Sequence, residues 1–281
     1  MNELRAIWLD QPREVSIETL ARCNAACTFC PYPTLDRKGT RMSDELLDKL
    51  VAELASFTRP VYLSPFKVNE PLLDVRLIPL IERVNREAPR VRVRIFTNGS
   101  PLTSDKVEAI ARLKNIEHLW VSLNSHIPEE YERLMGLRFD LTARRLDHLH
   151  ELVGLNEFPH PVVLSTVGFP NEPFRRYCFD RWPLFQSLAI KRDAWIDYTD
   201  AQNLEVPDSP CVRWFELSIL ATGKVAHCCM HDGADEKYNI GDVNNQTMLE
   251  IYNSPFWRER REKLLSRRAL DERSPCSHCS Y

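Results

Sequence analysis

Cys23-Asn24-Ala25-Ala26-Cys27-Thr28-Phe29-Cys30 is the stretch from which the rest of the chain can be read. Its three cysteines are spaced C-x3-C-x2-C and stand at the end of an apolar alternating run. Cysteine thiolates hold iron–sulfur clusters, and a [4Fe–4S] cube takes four ligands. Three thiolates leave one iron open, which points to chemistry rather than scaffolding. The alternatives are a structural zinc, which prefers two separated C-x2-C knuckles with a fourth ligand, and three buried thiols, free cysteine being among the most buried residue types.

The loop resembles that of the radical S-adenosylmethionine (SAM) superfamily, C-x3-C-x-aromatic-C, with Phe29 as the aromatic residue beside the cofactor. The resemblance implies a cube on Cys23, Cys27 and Cys30, with the amino and carboxylate groups of SAM on its fourth iron.

Composition narrows the class. With 281 residues the chain exceeds the usual domain mode of about 100–150, so a large barrel or a barrel with an appended module is expected. Lys and Arg number 37 against 40 Asp and Glu, a net charge of −3, so no global basic field recruits nucleic acid. No apolar signal core follows Met1 and no apolar run is long enough to span a membrane, so a cytoplasmic, reducing setting is expected. There the nine cysteines read as metal-binding or catalytic rather than bridged.

Residues 14–20 alternate and end at the cysteine loop, a first strand that delivers the loop from its C-terminal end. Ser43 then caps a helix whose Leu46, Leu47, Leu50, Val51 and Leu54 share one face. The pattern recurs: strands over 60–65, 91–96, 119–123, 162–167 and 188–191 alternate with helices over 77–84, 104–113, 129–134 and 141–153. Such alternation predicts an α/β fold with a parallel sheet. Six units fall short of the eight of a closed barrel but agree with the partial (β/α)6 TIM-type barrel that the resemblance implies. After Tyr198 the pattern gives way to a polar, proline-bounded stretch. The expected division is therefore a barrel over 1–200 and a small C-terminal module over 201–281.

In parallel barrels the polar residues at the C-terminal strand ends form the site. Asn69-Glu70-Pro71 follows the second strand, where the family usually carries Gly-Gly-Glu; the carboxylate is kept, so Glu70 is a partner for the SAM ammonium, with Asn69 beside it. Thr97-Asn98-Gly99 after the third strand resembles the family's Thr-Asn-Gly turn, and Ser122 and Asn124 stand where the fourth strand supplies ribose contacts. Hydroxyls and amides suit sugar hydroxyls because they donate and accept; ordinary turn chemistry accounts equally for Asn98-Gly99 and Ser122. Gly168, at the end of the fifth strand, is where the family packs adenine.

Cys211, then Gly223-x4-Cys228, then Cys276-x2-Cys279 make a closed set of four thiolates, which spacing alone allows to be zinc. Their order, with Gly241-Asp242-Val243 and Tyr252 between, resembles the SPASM/twitch extension of radical SAM enzymes, and four ligands fit the twitch type with one auxiliary [4Fe–4S] cluster. A charged helix is expected over 247–268, with Arg258–Glu262 and Glu259–Lys263 as i,i+4 pairs on a solvated surface. Cys178 reads as a buried thiol. Cys229, next to Cys228, is either a local neighbour of the cluster or a hydrogen-atom donor to a substrate radical.

The resemblance thus implies a deoxyadenosyl radical generated from SAM and driven by an external one-electron reductant such as flavodoxin or ferredoxin. It further implies either dehydrogenation, as in twitch-type aminocyclitol dehydrogenases, or epimerisation. The 22 residues before Cys23 are too few for a leader-peptide-binding domain, which favours a sugar, aminocyclitol or similar polar metabolite over a peptide brought by a partner. The reading from another class is a non-catalytic iron–sulfur or zinc protein, which would not cleave SAM.

Overall fold

The structure is a computed structural model that describes residues 1–167, 171–190, 205–234 and 236–281. After α1 (Asn2–Trp8) come β1 (Glu14–Ile17), α2 (Asp44–Ser56), β2 (Val61–Ser64), α3 (Leu77–Glu87), β3 (Val91–Thr97), α4 (Ser104–Ala111) and β4 (Ile116–Ser122). Then follow α5 (Pro128–Met135), α6 (Phe139–Gly154), β5 (Val162–Val167), α7 (Glu172–Arg181) and β6 (Gln186–Ile190). The C-terminal part adds β7 (Glu216–Ile219), β8 (Lys224–Ala226), β9 (Gly241–Asp242), α8 (Met248–Tyr252) and α9 (Pro255–Lys263).

The first six strands lie side by side in chain order and all pair in parallel. Consecutive order is what repeated βα units give when each crossover returns to the same side of the sheet. The helices cover one face. Ser43 accepts a hydrogen bond from the Leu46 N–H at 3.1 Å and so starts α2 where expected. The five apolar residues that follow pack with Val15, Leu63, Val93, Ile95, Leu119 and Val121 in one core. Boundaries differ by up to three residues from those read in the sequence, as at the ends of β1 and α3 and the start of β4; past Ile17 the Glu18 carboxylate pairs with Arg37. The expected end of the sixth strand, Lys191, and the expected division at 200/201 lie outside the described residues.

Three features differ from the sequence reading. First, β7 pairs in parallel with β1, so the C-terminal module extends the barrel sheet; the hairpin expected at Thr222-Gly223 joins β7 to β8. Second, the single charged helix over 247–268 is two helices. Pro255 lacks an N–H to continue α8, and its fixed φ suits the first turn of α9. Third, α9 is solvated on one side only. Arg258–Glu262 and Glu259–Lys263 form as expected at 2.8 and 2.5 Å, while Arg260 and Arg261 are buried. Arg261 donates to the carbonyls of Tyr252 and Leu9, closing the gap between α8, α9 and the N-terminal segment.

Candidate cofactor site

The cysteine loop leaves β1 and is pinned by its backbone. Ala26 and Thr28 N–H groups donate to the Met135 and Leu134 carbonyls at the end of α5, both at 2.9 Å. Gly136 caps α5 in the left-handed region, with φ +64°, and a Cβ there would stand 3.2 Å from that of Ala26. The close approach of loop to helix needs glycine. Burial pushes the thiols up, Cys23 to about 11 and Cys27 to about 12, and Cys30 is raised as well; nearby thiols add to the rise for Cys23 and Cys27. A metal cation among thiols raised in this way would favour their ionised form. Phe29, half-buried, packs against the main core.

Glu70 follows β2 and is fully enclosed. Its carboxylate accepts from the Thr97 hydroxyl at 2.9 Å, the Asn98 N–H at 2.7 Å and the Leu72 N–H at 3.1 Å. Burial raises its pKa to about 7 against the lowering effect of those bonds. Asn98 in turn donates to the Asn24 side chain at 2.9 Å and accepts from Ser100, and Asn24 donates to Ser100. Glu70, Thr97, Asn98 and the cysteine loop are thereby one braced unit.

Two residues singled out in the sequence carry buried polar atoms with no hydrogen-bond partner among the described residues: Nδ2 of Asn69 and Oδ1 of Asn124. Asn124 is held with φ +63° after β4, and its carbonyl accepts from Thr166 at 2.6 Å. Unpaired buried polar atoms are costly in a protein interior, and a donor and an acceptor at the two strand ends fit a polar ligand such as SAM. Ser122 is half-buried at the end of β4, and Gly168 lies outside the described residues.

The sheet face opposite the helices was not singled out from the sequence. Along β3 and β4 the core takes Val93, Ile95, Leu119 and Val121, and the alternate residues Arg94, Phe96, His118 and Trp120 remain half-buried on the other face. Phe96 stacks on Phe66 at 5.3 Å and tilts against Trp120 at 5.7 Å. Trp120 donates to Ser165 at 2.8 Å, and Glu14 accepts from Arg94 at 2.7 Å and from Ser64 at 2.5 Å. Burial lowers the pKa of His118, the nearby Arg94 charge adds to this, and its Nε2 is buried with no hydrogen-bond partner among the described residues. A closed barrel fills this space with branched aliphatic layers. Here it is lined by rings, a cation, a carboxylate and hydroxyls. The period-2 alternation of residues 91–97, with arginines and a phenylalanine on the second face, was the available signal.

In the C-terminal module Cys211, Cys228, Cys276 and Cys279 line one cavity, together with Arg213, Trp214, Met230, Arg267 and Tyr281. Among the described residues no three His, Cys, Asp or Glu side chains converge as ligands of a single metal ion do. Four sulfurs spread around a cavity fit the larger cube better than a zinc held at about 2.3 Å by each sulfur. Cys229 does not line that cavity. Its thiol, raised by burial, lies within electrostatic reach of Arg213, Glu216, Lys67 and Glu14. Cys178 is buried in the core, its thiol pushed up to about 12 by burial. Among the described residues, no helix is long and apolar enough to cross a membrane.

The sequence matches the profile of the radical SAM superfamily over residues 17–177 and that of an iron–sulfur cluster-binding domain, SPASM, over 211–280. It is 31% identical over 100 residues to the S-adenosyl-L-methionine-dependent 2-deoxy-scyllo-inosamine dehydrogenase of Niallia circulans, 35% of this chain and 40% of that protein. It is 26% identical over 164 residues to GTP 3′,8-cyclase of Streptomyces coelicolor, 56% of this chain and 45% of that protein. The matched segments thus span less than half the length of either relative. Among solved structures, BtrN in complex with AdoMet and 2-DOIA superimposes with a TM-score of 0.62 at 16% identity, covering 96% of this chain and 93% of that one. Streptococcus suis SuiB bound to precursor peptide SuiA gives 0.65 at 15% identity, covering 99% and 72%. At such identities the likeness is one of fold. The chain belongs to the radical SAM superfamily, with a C-terminal SPASM domain, and its cofactors are SAM and [4Fe–4S] clusters.

Proposed function

We propose that the protein oxidises a small polar metabolite, of the sugar or aminocyclitol type, by radical dehydrogenation. Cys23, Cys27 and Cys30 hold the first cluster, and Cys211, Cys228, Cys276 and Cys279 hold the auxiliary one. When bound and reduced by a partner such as flavodoxin or ferredoxin, the first cluster and SAM would supply a 5′-deoxyadenosyl radical able to take one hydrogen atom from the substrate. Dehydrogenation would then need the auxiliary cluster as acceptor of the second electron and a base for the proton, so that a C–H and an O–H (or N–H) bond would give way to a double bond. Glu70, Asn69 and Asn124 orient SAM; Thr97 and Asn98 fix Glu70. Ser122 and Gly168 complete the ribose and adenine contacts.

The observation that carries this reading is the sheet face of Phe96, Trp120, His118, Arg94 and Glu14. Aromatic rings suit the C–H face of a sugar-like ring, and the charged and hydroxyl groups suit its polar rim. His118, kept neutral by burial, is placed to accept the proton. The test is anaerobic turnover in deuterated water with mass analysis of the product. Loss of two hydrogens with no deuterium on carbon is expected, and Cys229→Ala should retain that outcome.

One observation favours a second reading. Cys229 does not line the auxiliary cavity, and its thiol lies within electrostatic reach of Glu14, a residue of the open sheet face, as well as of Arg213. A thiol there could return a hydrogen atom and make the reaction an epimerisation. Solvent deuterium on carbon at unchanged redox state, lost in Cys229→Ala, would establish it in place of dehydrogenation.

A further inference from the structure

Arg260 is a cation in an aromatic, dry setting. It is 5% exposed, its guanidinium lies 4.2 Å from the Phe256 ring centre, 5.0 Å from that of Trp257 and 5.8 Å from that of Trp214. Its hydrogen bonds go to the Ser274 hydroxyl at 3.1 Å and to Sγ of Cys276 at 3.6 Å. No carboxylate pairs with it among the described residues, whereas Arg213, partly exposed on the cavity wall, has Glu216 at 2.7 Å. A second nitrogen reaches the same sulfur: Nε2 of His227, 8% exposed and packed edge-on to Trp257 at 4.7 Å, lies 3.1 Å from Sγ of Cys276.

A buried charge without a partner is expensive. A cube with four thiolates carries net negative charge, so the group that fits the cavity is also the missing counter-charge. Hydrogen bonds to the sulfurs, net charge and solvent exclusion set the reduction potential of such clusters. We propose that Arg260, with His227 as the second donor to Cys276, is the positioning residue that raises the potential of the auxiliary cluster and so makes it an electron acceptor. In the reaction proposed above, on which this inference rests, the oxidised cluster gains one electron as the substrate radical loses one, and the proton leaves separately to a base. A positive charge at Arg260 stabilises the reduced, more negative form more than the oxidised form.

The test is a reductive titration of the anaerobically reconstituted full chain, followed by electron paramagnetic resonance, without substrate. The auxiliary signal is the one that added SAM leaves unchanged. Arg260→Met, close in volume and uncharged, should lower the equilibrium constant for reduction of that cluster by at least tenfold, which is 59 mV for one electron. Iron content should stay at wild type, and Arg260→Lys should recover most of the loss. An auxiliary potential unchanged in a fully loaded Arg260→Met overturns the proposal. Should Arg260→Met fail to take up iron, His227→Phe decides. A potential lowered by about threefold in the equilibrium constant supports the assignment, and an unchanged one refutes it. Because the potential is read without turnover, an epimerising wild type would defeat the dehydrogenase reading while leaving the titration result as it stands.

Discussion

Glu70→Gln separates the bracing role that the structure shows for this carboxylate from the SAM contact proposed for it. In the wild type one oxygen accepts from Thr97 and Leu72 and the other from the Asn98 N–H. A carboxylate offers about four acceptor positions, so one remains for the SAM ammonium. Glutamine keeps the shape. Its NH2 either faces the Asn98 N–H or, flipped, the Thr97 and Leu72 donors, so at least one charge-assisted bond of about 1.5–3 kcal/mol is lost and a buried donor is left unpaired. Roughly 2–3 kcal/mol of stability should go, a fall in Tm on the order of 5–10 °C for a domain of this size. The ammonium bond is of the same class, so SAM affinity measured by calorimetry should weaken by about ten- to a hundredfold. The pH dependence carries a sign. Burial raises the folded carboxyl to about 7, above its unfolded value of about 4.3. Its contribution to stability is therefore fully present below the unfolded value and is lost as pH rises through the folded one. The ammonium needs the carboxylate, so wild-type SAM affinity should rise as pH is taken through about 7, and that of Glu70→Gln should not. Unchanged SAM affinity at every pH, with only Tm reduced, would leave Glu70 as a brace for Thr97 and Asn98 and remove it from the SAM site.

Two further outcomes test the cluster assignment and the module's scaffold. Reconstituted protein should contain about eight iron atoms per chain, two cubes of four, and replacing Cys23, Cys27 and Cys30 together by Ala should leave about four and abolish deoxyadenosine formation; four in the wild type contradicts two cubes. Gly223→Ala should destabilise the β7–β8 hairpin, because Gly223 has φ +86° and an added Cβ would lie 2.2 Å from Nδ2 of Asn244. The backbone conformation alone costs about 1–2 kcal/mol, so an unchanged urea midpoint would show that the turn relaxes freely.

The barrel was legible because two periodicities alternate along the chain and short polar stretches separate them. The cysteines were legible because their spacing is a chemical constraint. Other features have no local signature. Pairing of β7 with β1 joins residues some two hundred positions apart, Glu14 opposite Glu216, and depends on the barrel's first edge being left open. The buried state of Arg260 and Arg261 was hidden by their neighbours. Arg258, Glu259, Glu262 and Lys263 read as a solvated face, and only Pro255 marks the break that turns the following residues inward. Asn69 and Asn124 were singled out by position, yet what distinguishes them from Asn98 is tertiary. The Asn98 side chain is taken up by Asn24 and Ser100, while Asn69 and Asn124 each keep a buried atom with no hydrogen-bond partner among the described residues.

The pairing of β7 with β1 also explains how the two proposed cluster sites, far apart in the chain, are fixed relative to each other. Glu18, just past β1, is fully buried and accepts from Arg37 at 2.7 and 2.9 Å and from the Ala221 N–H at 3.2 Å. Arg37 also donates to the Asp232 carbonyl, four residues from the proposed auxiliary ligand Cys228. From the other side, Lys67, three residues before Glu70, donates to the carbonyls of Cys228 and Cys229 at 3.0 and 2.7 Å. The segment that carries Glu70, proposed to meet SAM, therefore also holds the backbone of the loop that carries Cys228. Glu18 is fully buried and Arg37 is 11% exposed, so removing Arg37 would leave an uncompensated buried carboxylate, a costly change. In the proposed dehydrogenation, the distance an electron would cross from the open sheet face to the auxiliary cavity is set by the sheet itself and by the contacts of Arg37 and Lys67.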